Sequence, residues 1–363
     1  MPRRTATMLA SLLMLIALLC AGALMPVPYA EMSPGPSYNT LGSHQGECVL
    51  QISGQKGCEE GTGGHLNMTT VRVTGSEYKM NLVEAVYGWL AHDDVVVPHS
   101  TLYPDDKTPD EVNQENAEEF TQSQESAKVA ALRALGKKVA SHVIVAVVQR
   151  DKPAQGRLHA GDVIKAADGT AVRGPEDVAK LITKHKPGEK VSFSLVPAKD
   201  AAAAERKNQE PTRQKTVTVT TAKAEDGRAI VGIQAGVDYT FPLKIDIKLA
   251  DVGGPSAGLM FALGIVDRLS PGDLTGGKFI AGTGTIDEKG LVGPIGGIQM
   301  KTIGARKEGA RYFLTPQENC KAAAADVPDG LTLVKVHTLD GALKALKQIR
   351  AGDTAALPKC AKG

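Results

Sequence analysis

Apolar and polar residues alternate with different periods along the chain. From about Met8 to Met25 the sequence is uncharged and dominated by Leu, Met and Ala, behind Arg3 and Arg4. An apolar run of roughly 18 residues is long enough to cross a bilayer as a helix, and the flanking arginines favour a cytoplasmic N-terminus with everything downstream outside. Ala21-Gly22-Ala23 could instead be a signal-peptidase site, making the run a cleaved leader. The retained anchor is preferred because the run outlasts an ordinary leader's apolar core. Residues 31–126 then read as a β-rich segment, with turn-rich Ser33-Pro34-Gly35-Pro36, short strands from about 37 to 98 and glycine-rich connections. A short helical pattern, Asn81 to Leu90, carries Tyr87 and Trp89 as packing groups. Thr108-Pro109-Asp110-Glu111 combines a capping threonine, a first-turn proline and an acid three residues on. It predicts a helix to Leu135, with a break near Thr121 to Ser123 and a stop at Gly136.

Between 127 and 227 the pattern predicts a strand at Val143–Val148, a turn-strand-turn at Gly161–Gly169 and a helix at Pro175–Lys184. Strands at Val191–Val196 and Val217–Val219 flank a solvated loop, Ala198–Lys215, rich in alanine and charge. Further on, Leu243, Ile245, Ile247 and Leu249 alternate with polar residues as a half-buried strand leading toward Ser256. Glycines then permit a sharp turn, Pro255 suits a first helical position, and Ala257 to Leu269 is a buried helix stopped by Ser270-Pro271. Pro294 to Gly297 opens a helix through about Glu308. Strand Leu331–Val336 and helix Leu339–Ile349 close the pattern. The fold class is α+β, divided into an anchor (1–30), a β-rich segment with connecting helix (31–126), a second domain (127–227), a C-terminal domain (228–350) and a tail (351–363).

Composition narrows the function. A net charge of +2 over 363 residues and an aromatic content of 4% give no basic footprint and few stacking platforms, which sets nucleic acid aside. Cys20 lies within the apolar run. The other four cysteines lie in a segment predicted to be outside the cytoplasm, and sequence separation makes Cys48–Cys58 and Cys320–Cys360 the simplest pairing, against free thiols. No cysteine pair has zinc-site spacing and there is no His-Glu-x-x-His, so metal catalysis has no support. His44, His65, His92 and His99 are dispersed and read as surface or hydrogen-bonded residues. No Gly-x-x-x-x-Gly-Lys-[Ser/Thr] occurs, so neither nucleotide nor another cofactor is expected.

The candidate chemistry is a hydroxyl and an amine. Ser256 sits at a predicted helix N-terminus, where unpaired N–H groups, including that of Ala257, could hold a developing oxyanion. The same glycine-rich motif also fits a tight strand-to-helix turn with a capping serine. On the helix after Gly297, Ile298, Lys301 and Ala305 share an apolar face, whereas Arg306 and Lys307 reach water. A lysine there can snorkel. Buried instead, it loses its proton more readily and can serve as the base for a serine nucleophile.

Three ordered blocks, Gly254-Pro255-Ser256-Ala257-Gly258, Thr283-Gly284-Thr285-Ile286 and Gly290 to Lys301, resemble the proteolytic domain of Lon-type serine peptidases. The resemblance continues through Thr315-Pro316-Gln317-Glu318-Asn319 and covers about 228–347. It implies Ser256 as nucleophile, Lys301 as general base and Thr283 as the residue that helps hold the lysine. Many Lon enzymes have an acid directly before Gly-Pro-Ser; this chain has Gly253-Gly254, and Asp251 is its nearest acid. Pro153-Ala154, Leu158 and Gly161-Asp162-Val163-Ile164 resemble a PDZ domain of bacterial proteases, implying a peptide groove between about Val139–Val145 and the Pro175–Lys184 helix, or a spacer with that groove blocked. The whole order resembles membrane-anchored, PDZ-containing Lon-like peptidases of bacteria. It implies ATP-independent endopeptidase action on unfolded or flexible extracytoplasmic segments, with self-association also implied. Two rivals stand beside it. One is a catalytically silent PDZ adaptor. The other is an α/β-hydrolase using Gly254-x-Ser256-x-Gly258 with His337, disfavoured because only about 135 residues follow the PDZ-like region.

Overall fold

In the computed structural model, which describes residues 3–55, 57–58, 64–91, 93–205, 213–249 and 252–361, the apolar stretches resolve into strands and helices. The strands used below are β1 (Tyr29–Asn39), β2 (Leu50–Ile52), β3 (His65–Val73), β4 (Val95–Pro98), β5 (Ala140–Val148), β6 (Val163–Ala167) and β7 (Lys190–Val196). They continue with β8 (Lys215–Thr220), β9 (Ile233–Thr240), β10 (Ile245–Ile247), β11 (Phe279–Gly282), β12 (Tyr312–Pro316) and β13 (Thr332–Val336). The helices are α1 (Arg3–Leu24), α2 (Leu82–Leu90), α3 (Pro109–Ala134), α4 (Pro175–Thr183), α5 (Gly258–Leu269), α6 (Ile298–Lys307) and α7 (Leu339–Ala351). His92 and Asp251 lie outside the described residues.

Two units divide the chain: Met1–Gly136 with Ile245–Gly363, and Lys137–Lys244. The first is built on one mixed sheet, ordered β13-β12-β11-β3-β1-β4. The four strands β13, β12, β11 and β3 run parallel, and β1 pairs antiparallel with both β3 and β4. Parallel strands need cover on both faces, and Ile280, Phe313, Leu314 and Val334 are fully buried. Helix α5 packs against β3 and α3, and α7 against α3 and α5. Enclosed in this way, α5 buries every residue from Gly258 to Val266, which is why its sequence is apolar on all sides.

This differs from the consecutive division expected from the sequence. Strands of the 31–126 segment supply one half of the sheet whose other half comes from beyond 278, and β2 pairs with β10. Alternation reveals that a stretch is a strand but not which distant strand it pairs with. Helix α3 carries the expected capping box of Thr108 and Glu111, and it runs unbroken through Thr121 to Ser123. Its buried stripe includes Phe120, Ser123, Ala127 and Ala130. Helix α2 turns Ala85 and Gly88 inward. Tyr87 and Trp89, expected as packing groups, are instead 71% and 53% exposed. Trp89 keeps one edge-to-face contact, with Tyr29.

The second unit is an antiparallel sheet, ordered β8-β7-β6-β5-β9, around a core that includes Val145, Leu158, Ile164, Val178 and Phe193. Here too a boundary moves. Strand β9, whose residues fall within the expected C-terminal domain (228–350), pairs with β5 from Ile233↔Val148 to Thr240↔Ala140 and is the terminal strand beside α4. The expected groove between Val139–Val145 and the helix is therefore corrected: β5 has neighbours on both sides, and the strand edge next to α4 belongs to β9. The loop expected at Ala198–Lys215 begins with a helix, Ala198–Glu205, as its run of alanines favours.

Cys48 and Cys58 are disulfide-bonded with Cα atoms 5.4 Å apart, as are Cys320 and Cys360 at 5.1 Å. Cys20 is a free thiol exposed on α1. The C-terminal tail is held by that second bridge, by Lys335 N–H donating to Pro358 O, and by buried Leu357.

Candidate active site

The turn before α5 is fixed by neighbours on both sides. Strand β10 ends at Ile247, so the strand expected over 240–249 does not run unbroken toward the serine. Thr240 closes β9 in the other unit, and the two fragments answer to different partners, β5 and β2. Gly254 takes φ +77°, a conformation that favours glycine. Its N–H donates to Asn116 O of α3 at 2.9 Å. Pro255, expected at the first helical position, lies ahead of the helix. Ala257 is the N-cap and Gly258 the first helical residue. Ser123 Oγ of α3 donates to Pro255 O at 2.9 Å. A Cβ on Gly258 would lie 2.8 Å from that hydroxyl oxygen and 2.9 Å from Ile286 Cγ2, so only glycine allows α3 and the 285–286 strand so close.

Ser256 O accepts from Gly284 N–H at 2.8 Å and from Thr283 Oγ1 at 2.9 Å. Thr283 follows β11 directly and is fully buried. Lys301 Nζ donates to Ser256 Oγ at 2.7 Å and to Thr283 Oγ1 at 3.1 Å. The structure thus brings Ser256, Thr283 and Lys301 together, from α5's N-terminal turn, the end of β11 and the first turn of α6. Ala257 lies next to them, 2% exposed.

Lys301 is 3% exposed, and burial lowers its pKa from 10.5 to about 7. The hydrogen bonds also set the direction of proton exchange. Thr283 spends its own hydrogen on Ser256 O, so its oxygen can only accept from the amine. A neutral amine has one lone pair, and with Thr283 taking an N–H, that lone pair is free to face the serine hydroxyl. Such a pair can turn an alcohol into a nucleophile.

A cleft of about 510 Å³ opens at this point, lined among others by Met32, Tyr38, Met68, Arg72, Ser256 and Lys301. A slightly larger cavity, about 570 Å³, lies in the other unit around Arg157, His159 and Asp200, with no serine, threonine or cysteine among its lining residues. The walls from β1 and β3, and the Asn116 and Ser123 struts of α3, are absent from the sequence-level reading of the site. For Ser123 a signal exists: a polar residue on the otherwise apolar stripe Phe120–Ala127–Ala130. For the strand residues no signal exists, because apolar side chains that line a cleft and those that fill a core alternate alike. His337, the hydrolase candidate, is half exposed with its ring nitrogen 3.9 Å from Glu318, while the hydroxyl of Ser256 meets Lys301. Among the described residues there is no cluster of His, Cys, Asp or Glu suited to a metal ion.

Comparison with known proteins finds matches over two stretches of the chain. Residues 250–348 match the Lon protease (S16) C-terminal proteolytic domain, and residues 117–205 match the PDZ domain family. The Lon protease of Azospirillum brasilense is 38% identical over 95 residues, covering 25% of this chain and 11% of that protein. Lon protease 2 of Bacillus subtilis is 37% identical over 94 residues, 25% of this chain and 16% of its own length. The chain therefore spans only a small part of the curated relatives it matches. The PDZ domain of the SdrC-like protein of Listeria innocua aligns at 24% identity, covering 25% of this chain and 90% of that one, with a TM-score of 0.21. The PDZ match begins inside α3 and stops before β8 and β9. The structural unit at Lys137–Lys244 is the better boundary, because those two strands complete its sheet and α3 packs on α5. The chain thus carries a PDZ domain together with the C-terminal proteolytic domain of the Lon protease (S16) family.

Proposed function

We propose that the protein is a serine endopeptidase that works through a Ser256–Lys301 dyad, without ATP, on unfolded or flexible protein segments outside the cytoplasm. The observation that carries this reading is the 2.7 Å contact between Lys301 Nζ and Ser256 Oγ, with the amine shut away from water. Ser256 Oγ attacks the peptide carbonyl as Lys301 takes its proton. The Ala257 N–H stabilises the oxyanion at the N-terminal end of α5. Lys301 then returns the proton to the leaving amine, and water, activated by the same amine, releases the acyl group from the serine. Thr283 orients the lysine. The 22-residue helix α1, with one stretch long and apolar enough to cross a membrane, supports attachment there; a cleaved leader would pass the same test. The PDZ domain captures substrate, or regulates access, by strand addition to β9 beside α4.

Full-length protein in detergent, given an unfolded protein substrate, should generate new peptide termini equally with and without ATP. His337→Ala should leave the rate within roughly twofold, since its ring pairs with Glu318 away from the serine hydroxyl. Absence of cleavage in any condition, with no modification of Ser256 by a serine-directed fluorophosphonate, would favour a silent peptide-binding adaptor. A histidine-dependent rate would favour the hydrolase.

The pH dependence has a defined sign. Only the neutral amine has a lone pair, and the Lys301 pKa is about 7. Rates under limiting substrate should therefore rise with pH to a midpoint near that value, falling roughly tenfold per pH unit below it. A rate maximum in acid would contradict a lysine base.

A further inference from the structure

Helix α2 is inverted relative to an ordinary surface helix. Its inner face carries its smallest residues, Ala85, fully buried, and Gly88, where a Cβ would meet Val96 Cγ2 at 2.6 Å. Its outer face carries Val83, Val86, Tyr87 and Leu90, at positions i, i+3, i+4 and i+7 of one stripe. These are 46%, 43%, 71% and 82% exposed, and neighbouring Trp89 is 53% exposed. The helix's one charged residue, Glu84, is turned back into the capping box with Asn81 and also accepts from Tyr78. Scattered apolar residues on a surface need no explanation, but a continuous stripe that holds one aromatic, with a second beside it, does.

The position of α2 identifies what covers it. Its entry is fastened to the exit of α1: Leu82 N–H donates to Met25 O, Val27 N–H donates to Met80 O, and Pro26 bridges Asn81. Gly22 of α1 lies against Val83, a Cβ there falling 3.6 Å from Val83 Cγ2. The stripe therefore begins where the apolar helix ends. Trp and Tyr concentrate at the depth where lipid headgroups meet acyl chains, and a helix whose outward face is apolar can lie in that plane with that face against the acyl boundary.

We infer that α2 is a membrane-interface helix, seating Tyr87, Trp89 and Leu90 among the headgroups of the bilayer that α1 enters. This rests on α1 remaining in the membrane. It makes the first unit a lipid-seated body, so that the cleft at Ser256 works at a set distance from the bilayer on segments emerging from it.

Trp89 is the chain's single tryptophan, so its fluorescence reports on this helix alone. Full-length protein reconstituted into phosphatidylcholine vesicles is first floated on a density gradient, then compared in vesicles with and without bromine on the upper acyl carbons. The expected result is co-flotation with at least roughly half the emission quenched by brominated lipid, and weak quenching by aqueous iodide. Tyr87→Glu combined with Leu90→Glu should reverse both readouts while peptide cleavage stays unchanged. Co-flotation with emission insensitive to bromine and open to iodide overturns the inference and leaves the stripe to a protein partner. Failure to float removes the membrane anchor and the inference together, without bearing on the Ser256–Lys301 chemistry.

Discussion

Lys301→Met should abolish peptide hydrolysis and at the same time make the protein harder to melt. The loss of rate follows from the dyad: with no amine, the serine hydroxyl keeps its proton, and a fall of at least about a thousandfold is expected for a group that acts as a unit with its nucleophile. The gain in stability follows from the burial of Lys301. Above pH 10.5 the amine is neutral in both folded and unfolded chains and burial carries no titration penalty. As pH falls from 10.5 toward 7 the unfolded chain takes up a proton that the folded protein refuses, so stability declines through that window. Below about 7 both states are protonated and the penalty is constant at roughly 4–5 kcal/mol. Methionine has nearly the same length and no charge to desolvate. It gives up the hydrogen bonds to Ser256 and Thr283, about 1 kcal/mol each. The balance near neutral pH is a gain of a few kcal/mol and a rise in Tm of about 5 °C or more. Retained activity would sink the base assignment. A fall in Tm would show that the amine is not desolvated as its burial implies.

Ser256→Ala should be as damaging to the rate, by about a thousandfold or more, with stability changed by no more than about 1 kcal/mol. The turn does not depend on that hydroxyl: Gly254, Pro255 and Ser256 are held through backbone groups, by Asn116 O, Ser123 Oγ, Gly284 N–H and Thr283 Oγ1. The variant should therefore fold, retain unfolded substrate and leave it uncut. Because the two groups serve a single step, combining Ser256→Ala with Lys301→Met should cost no more than either change alone. Multiplying losses in the double variant would mean that serine and lysine act in different steps.

The site was legible because it depends on residues that sequence displays directly. Glycines and Pro255 around Ser256 announce a sharp turn, and Lys301 among Ile298 and Ala305 announces a lysine on an apolar face. Whether that lysine snorkels or is buried cannot be decided along one helix. It depends on what covers the face, and α6 packs against β1 and β3 from far earlier in the chain. The same limitation produced the misplaced domain boundaries. Residues 31–126 read as an independent β-rich segment, yet β1, β3 and β4 belong to the sheet of β11, β12 and β13. Residues 233–240 read as part of the final domain, 228–350, yet as β9 they complete the PDZ sheet.

The chain's own pattern determined the elements, the order of the serine, threonine and lysine blocks, the apolar N-terminal helix and the caps of α3, since each rests on interactions within a few residues. Tertiary structure alone decided which strands share a sheet, that Asn116 and Ser123 secure the turn at Ser256, that α2 faces outward with its large residues, and that Lys301 lies dry beside Ser256. The reason is that pairing and burial are properties of neighbours in space. Contact between groups 45 residues apart leaves no period in the sequence to reveal it.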